Sequence, residues 1–146
     1  MNASPIGIFG GTFDPIHFGH LRTGFELLQV LQLGELRWIP AGNPGHRGAP
    51  LADASLRLEM VRAATADQRG FVVDDREVRR TGVTYTVDTL GELRREFPHR
   101  PLCLVLGMDA FLGFESWHRW QAVLDALIET KQLSKPQDIN AAFRNL

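Results

Sequence analysis

Apolar positions along the 146-residue chain change their spacing several times, and each change predicts a new element. Pro5 to Phe9 is a short apolar run that meets Gly10 and Gly11, as a strand does when it enters a glycine turn. Beyond the turn, Leu21, Phe25, Leu28 and Leu31 recur at helical spacing and define one apolar helix face. "LRWIP", Leu36 to Pro40, predicts a second strand stopped by proline, and "AGNPGHRGAP" after it a loop. "ASLRLEMVRAAT" predicts a second helix with Ser55 as its cap, and "FVVD" a third strand. "DDREVRRTGV" mixes charges without an apolar period and reads as a solvated connection. Thr86 then caps a helix whose Leu90, Leu93 and Phe97 share a face until Pro98 ends it. "LCLVL", Leu102 to Leu106, lacks polar alternation, as a strand does when helices cover both faces of a parallel sheet. Trp120, Val123, Leu124 and Leu127 mark a last helix. Strands alternating with helices predict an α/β fold with right-handed crossovers.

Composition narrows the partners. A chain of this length is one domain's worth and buries about two thirds of its unfolded surface. The formal net charge of -1, with 23% charged and 44% hydrophobic residues, gives no basic excess for nucleic acid and no signature of disorder. Any phosphate site must therefore be local. The single cysteine, Cys103, excludes an internal disulfide framework, suits a reducing compartment and reads as a buried strand residue. No apolar run approaches the roughly 18 residues of a membrane span, and no charged leader precedes an apolar core. The expectation is a soluble, cytoplasmic protein with no nucleic-acid or membrane partner.

The chemistry concentrates in Gly7 to Gly24, "GIFGGTFDPIHFGHLRTG", which holds five glycines and two histidines three apart. In a parallel α/β sheet the loop after the first strand is the usual phosphate cradle. Glycines let backbone amides approach an anion, and the following helix N-terminus adds a favourable dipole. Pro15 fixes the turn, and His17 and His20 project from one face of the first helical turn toward the same anion. Read alone, the stretch also fits a tight connection without ligand, and the histidines a metal pair. No cysteine or H-E-x-x-H context supports the metal, so phosphate is preferred and no protein-bound metal is expected. The pattern is neither G-x-G-x-x-G nor a Walker A loop.

"GGTFDPIHFGH" resembles the signature of the HxGH nucleotidyltransferase superfamily, and its TFDP form resembles the bacterial nicotinate-nucleotide adenylyltransferases. "IPAGNPGHR" resembles that family's substrate loop, with Gly45 where a second proline is usual. "TGVTYTVDTL", "LGMDAF" and "FESWHRW" resemble its later motifs in the same order, so that the resemblance runs from about Ile6 to about Leu127. It implies a Rossmann-like fold and transfer of an adenylyl group from ATP, with Mg2+, to nicotinate mononucleotide. By resemblance, His17 and His20 are catalytic, and Gly10, Gly11, Thr12 and Phe13 line the ATP phosphate turn. Gly107 and Asp109 hold the adenosine. Asn43, His46 and Arg47 face the mononucleotide, Thr84, Tyr85 and Thr86 its carboxylate, and Trp117 its pyridine ring. Without the resemblance, Asp109 and Thr86 serve equally as helix caps, Trp117 and Trp120 as core, and Arg47 as a solvated loop residue.

The family pattern continues through a further strand to an "ISSTxIR"-type phosphate motif that is absent here. From about Glu129 the chain reads "ETKQLSKPQDINAAFRNL", polar and broken by Pro136. Residues 1–128 are thus expected to form an incomplete nucleotidyltransferase domain and 129–146 an atypical tail, with a sheet edge open to a second copy of the chain. The alternatives are a silent remnant that binds nucleotide or pairs with another chain, and a related transferase with another phosphate acceptor.

Overall fold

The computed structural model describes residues 4–42 and 50–128. Four strands, β1 (Ile6–Gly11), β2 (Glu35–Pro40), β3 (Phe71–Val73) and β4 (Leu102–Leu104), pair in parallel in the order β3-β2-β1-β4. Helix α1 (Phe18–Val30) follows β1 and α2 (Ala54–Thr65) follows β2. Helices α3 (Arg76–Arg79) and α4 (Thr86–Glu96) link β3 to β4. Helices α5 (Met108–Leu112) and α6 (Trp120–Ile128) come last. The expected α/β class with a parallel sheet is what forms.

Strand alternation divides the core in two. Ile6, Ile8, Ile39 and Leu102 turn to one face, where Val87, Leu90 and Leu93 of α4 and Val123 of α6 cover them. Leu36 and Trp38 turn to the other, beneath Val61 of α2 and Leu21 and Leu28 of α1. Helices therefore lie on both faces. Trp38 is the centre of the second face: its ring stacks on Phe9 at 4.7 Å and meets Phe71 edge-on at 5.0 Å. Helix α1 comes so close that Gly24 has no room for a side chain, since an added Cβ would stand 2.5 Å from Trp38 Cζ2. Phe25, expected on the buried face, is instead 40% exposed, because the close approach at Gly24 turns it outward. It borders a surface hollow of about 450 Å³ with Phe18, Leu21, Arg22 and Phe71.

Several boundaries differ from the sequence reading. β1 runs on through Gly10 and Gly11, which pair with Ile39 and Pro40, so the glycines end the strand rather than follow it. β4 stops at Leu104 instead of Leu106. Ser55 does not cap α2; Asp53 does, its carboxylate accepting from Leu56 N at 2.8 Å. Thr86 is the first residue of α4, and Tyr85 occupies the cap position without a side-chain bond. "DDREVRRTGV" is no solvated connection. Asp74 is 5% exposed and accepts from Arg37 and Arg76, and α3 forms within the segment. Burial pushes the Asp74 carboxyl up, but the hydrogen bonds from Arg76 and then Arg37 outweigh it and hold its pKa below the usual range. Cys103 is half-buried in β4. Among the described residues no helix is long and apolar enough to cross a membrane.

Glycine positions separate packing from propensity. In Gly24→Ala the methyl meets an immovable, fully buried Trp38, and an overpacking cost of about 1–3 kcal/mol outweighs the roughly 1 kcal/mol that helix propensity favours alanine. Gly91 of α4 has only the tip of Arg95 within 4 Å, at 3.7 Å. Urea denaturation is expected to show Gly24→Ala destabilised and Gly91→Ala stabilised by about 0.5–1 kcal/mol.

Candidate active site

A parallel sheet brings the ends of all four strands to one edge, and every described residue assigned by resemblance lies at the end of a strand or in the segment that follows one before the next strand. The strand order adds what periodicity could not: β2 and β3 extend to one side of β1 and β4 lies on the other, so the switch point falls between β1 and β4. There β1 outlasts its neighbour. The β1–β4 ladder ends at Ile8 and Leu104, with Val105 N donating to Ile8 O at 2.9 Å, while β1 continues beside β2 to Gly11. Ile6 N and Ile8 O both point to the β4 side, and Gly11 O accepts from Ala41 N on the β2 side. Alternation therefore aims the backbone N–H and C=O of Gly10 into the gap past the end of β4. An added Cβ at Gly10 would have one neighbour within 4 Å, Ile39 O at 3.8 Å, and at Gly107 none. Neither glycine has a positive φ. Within the described residues nothing in the packing requires glycine at either place; a ligand approaching the backbone would.

The rest of the turn is braced. Phe13 has a left-handed φ of 49° and is only 3% exposed, its ring buried against Phe9 and Trp38. Strain of this kind, on the order of 1–3 kcal/mol, persists where surrounding contacts over-determine it. Phe13 lines the turn through its backbone alone, and its ring meets His20 edge-on at 5.1 Å. The Asp14–Pro15 peptide is cis.

His17 and His20 come together as expected, in an arrangement the spacing did not reveal. His17 is the N-cap of α1, its Nδ1 accepting from Gly19 N at 3.1 Å, and His20 Nδ1 accepts from His17 N at 3.2 Å. The pair forms a capping box made of imidazoles, ring centroids 3.8 Å apart. Because each Nδ1 accepts, each neutral ring carries its proton on Nε2 and offers an N–H donor away from the helix. Burial, and then the nearby His17 charge, lower the His20 pKa below its ordinary value.

Thr84, Tyr85 and Thr86 lie at the N-terminus of α4, where no side chain caps the helix and its first amides face the loop edge. Tyr85 packs on His118 at 4.2 Å, which brings the turn holding Trp117 to the same helix end. The Trp117 ring is half-exposed and stands 5.1 Å from Phe114. Asp109, in the first turn of α5, is exposed. Asn43, His46 and Arg47 lie outside the described residues, as does the tail from 129 to 146. Sequence reasoning missed His118, Asp14 and Arg57. Asp14 accepts from Leu51 N and Ala52 N, and the buried Arg57 donates to Thr12, Ala41, Gly42 and Ala52 carbonyls.

A family model described as cytidylyltransferase-like matches residues 8–138. The chain belongs to the cytidylyltransferase-like family. It is 54% identical to the probable nicotinate-nucleotide adenylyltransferase of Aeromonas hydrophila over 125 residues, 86% of this chain and 58% of that protein. The protein of the same name from Methylococcus capsulatus is 51% identical over 80% of this chain and 56% of its own. The chain thus spans a little over half the length of these relatives. Its fold superposes on nicotinic acid mononucleotide adenylyltransferase from Plasmodium falciparum, solved with NaAD, with a TM-score of 0.75 at 18% identity, over 94% of this chain and 70% of that one. A putative nicotinate-nucleotide adenylyltransferase from Vibrio parahaemolyticus gives 0.69 at 22% identity, over 97% and 88%. The Rossmann-like nucleotidyltransferase fold expected from the motifs is the one observed.

The imidazole cap has a pH signature. A His whose folded pKa is lowered takes up its proton more readily in the unfolded chain, so folded stability is full above the unfolded value of about 6.5 and falls as pH drops below it. Protonating Nδ1 of His20 would also remove the acceptor for His17 N. Denaturation midpoints compared at about pH 7.5 and 5.5 should fall with acid in the wild type. They should fall less in His20→Gln, whose amide keeps the capping-box acceptor without titrating.

Proposed function

We propose that the chain transfers the adenylyl group of ATP to nicotinate mononucleotide, releasing pyrophosphate and forming nicotinate adenine dinucleotide in NAD biosynthesis. The observation that carries this reading is the crevice between β1 and β4, where two glycines without a packing role flank an open backbone edge beside two imidazole N–H donors. The names of the sequence relatives supply the acceptor. A cytoplasmic location goes with the reading.

In the proposed reaction an oxygen of the mononucleotide phosphate forms a bond to the α-phosphorus of ATP, and the bond to the β-phosphate bridging oxygen breaks. The attacking phosphate is ionised near neutral pH, so the protein needs no base. Its work is alignment and stabilisation of charge on the transferring group. The Gly10 backbone edge and the N-terminus of α1 face the phosphates, Gly11, Thr12 and Phe13 line the turn between them, and His17 and His20 donate from Nε2. Gly107 and Asp109 border the adenosine, with Asp109 suited to ribose hydroxyls. The open N-terminus of α4, with Thr84, Tyr85 and Thr86, suits the nicotinate carboxylate. Trp117 offers a face for the pyridine ring, and Asn43, His46 and Arg47 complete the mononucleotide contacts. Magnesium enters as part of the substrate, carried by the ATP phosphates.

A second reading is nucleotide binding without turnover or transfer to another phosphate acceptor, since the matching family model, described as cytidylyltransferase-like, names no acceptor. Pyrophosphate release from MgATP, with nicotinate mononucleotide, nicotinamide mononucleotide and phosphopantetheine as acceptors, separates the readings. Release is expected to be fastest with nicotinate mononucleotide and to drop about 10²–10³-fold in His17→Asn, which retains an acceptor for the helix cap. Gly10→Ala is expected to keep its unfolding free energy within about 0.5 kcal/mol and to weaken MgATP about tenfold or more. Binding without release would favour the second reading, and wild-type rates in His17→Asn would remove that histidine from the mechanism.

A further inference from the structure

Aromatic rings run in contact from the core of the α1–α2 face to the first turn of α1. Trp38 meets Phe9 at 4.7 Å and Phe13 at 5.7 Å, and both phenyl rings meet His20, which stacks on His17 at 3.8 Å. Both phenyl planes stand nearly perpendicular to the His20 imidazole, Phe13 at 90° with centroids 5.1 Å apart and Phe9 at 80° and 6.2 Å. The Nδ1 atom of the same imidazole accepts from His17 N at 3.2 Å. His20 is thus held by a hydrogen bond at one atom, by a stacked imidazole and by two phenyl rings set across its plane.

Phe13 holds a φ of 49°, where glycine would be the relaxed residue, so what a phenylalanine adds at this position is its ring. That ring packs against the backbone of Gly11 so closely that an added Cβ there would stand 3.2 Å from Phe13 Cε1 and Cζ. One rigid ring therefore touches both the glycine turn and the imidazole of His20. Trp38 is fully buried and backs both phenyl rings, which gives the frame the stiffness of a packed interior. A hydrogen bond at Nδ1 fixes one point of the imidazole and leaves the ring free to turn about it. Perpendicular ring neighbours have a preferred geometry and fix the plane as well. A leucine would fill similar space without presenting an edge or a face.

We propose that Phe9 and Phe13 are positioning residues for the transfer: their rings, backed by Trp38, fix the plane of the His20 imidazole and so aim its Nε2 donor at the ATP phosphates. This rests on the adenylyl-transfer reading. A donor stabilises developing charge only where its direction is set before the reaction, and about 1 Å of misplacement costs about 10²-fold in rate.

Phe9→Leu and Phe13→Leu keep an apolar side chain and remove the ring. Steady-state kinetics below the melting temperature of each protein, with nitrogen NMR signals of His20 at about pH 8, where an ordinary imidazole is neutral, test the proposal. The wild type is expected to show well-separated Nδ1 and Nε2 signals of one tautomer, protonated on Nε2. In both variants the two signals are expected to draw together as the ring turns and its Nδ1 bond is lost part of the time. The same variants are expected to lower kcat about tenfold or more, with KM for nicotinate mononucleotide changed less than about threefold. Rings that served packing alone would lower the melting temperature and leave kcat and the His20 signals unchanged. That result overturns the proposal, as does a change in only one of the two readouts or a wild type whose signals are already averaged. Phe9→Leu decides the matter if Phe13→Leu does not fold, because Phe9 is only half-buried. Should the wild type release no pyrophosphate, the transfer reading fails, and calorimetric titration with MgATP takes the place of kcat. Affinity weakened about tenfold or more in the variants, with converging His20 signals, supports the positioning role, whereas equal affinity, unchanged signals or no binding by the wild type overturns it.

Discussion

The candidate site depends on an inequality of length between two neighbouring strands. β1 is six residues long and β4 three, so their ladder ends at Ile8 and Leu104 while β1 keeps its other partner to Gly11. Backbone polar groups that lose a strand partner must find another, in the protein, in water or in a ligand. The gap lies at the switch in strand order, next to the start of α1, where helix dipole and free amides favour anions. A longer β4 would cover the edge of Gly10 and close the crevice. The strained Phe13 and the stacked imidazoles follow β1 in the chain, and the exposed Gly107 follows β4, the two strands that meet at this switch point.

Much of this arrangement was legible in the sequence, and the parts that were not have a common physical reason. Periodicity reports burial along one element, so the strands, α1, α2, α4 and α6 could be read directly from it. It says nothing about which strand pairs with which, so the switch point between β1 and β4 emerged only with the sheet. Motif order singled out the glycine turn, the histidine pair and Trp117 as candidates, because each lies in a tight local pattern of few residue types. Arg57 carried no such sign. It occupies one polar position in "ASLRLEMVRAAT", and its role comes from carbonyls up to 45 residues away in sequence. His118 was hidden likewise, since its packing on Tyr85 joins positions 33 apart in the chain.

Errors of local detail followed from competition between equivalent residues. Ser55 and Asp53 are both good caps, and the carboxylate two positions earlier won by reaching Leu56 N. "DDREVRRTGV" looked solvated because opposite charges are usually exposed, yet Asp74 draws Arg37 and Arg76 inward and makes the segment a bridge between β2, β3 and α3. Charged residues can build an interior wherever each finds its complement.

The imidazole capping box changes the character of the candidate anion site. Lysine or arginine would hold a phosphate by net charge, and dissolved ions would weaken that hold. His17 and His20 spend Nδ1 on the helix, which leaves the Nε2 side of each ring as its remaining donor, in company with backbone amides. Screening by salt acts on charges far more than on short-range dipoles in a confined crevice. A phosphate held at this turn would meet directional donors on a fixed frame, rather than the long, mobile side chain of a lysine.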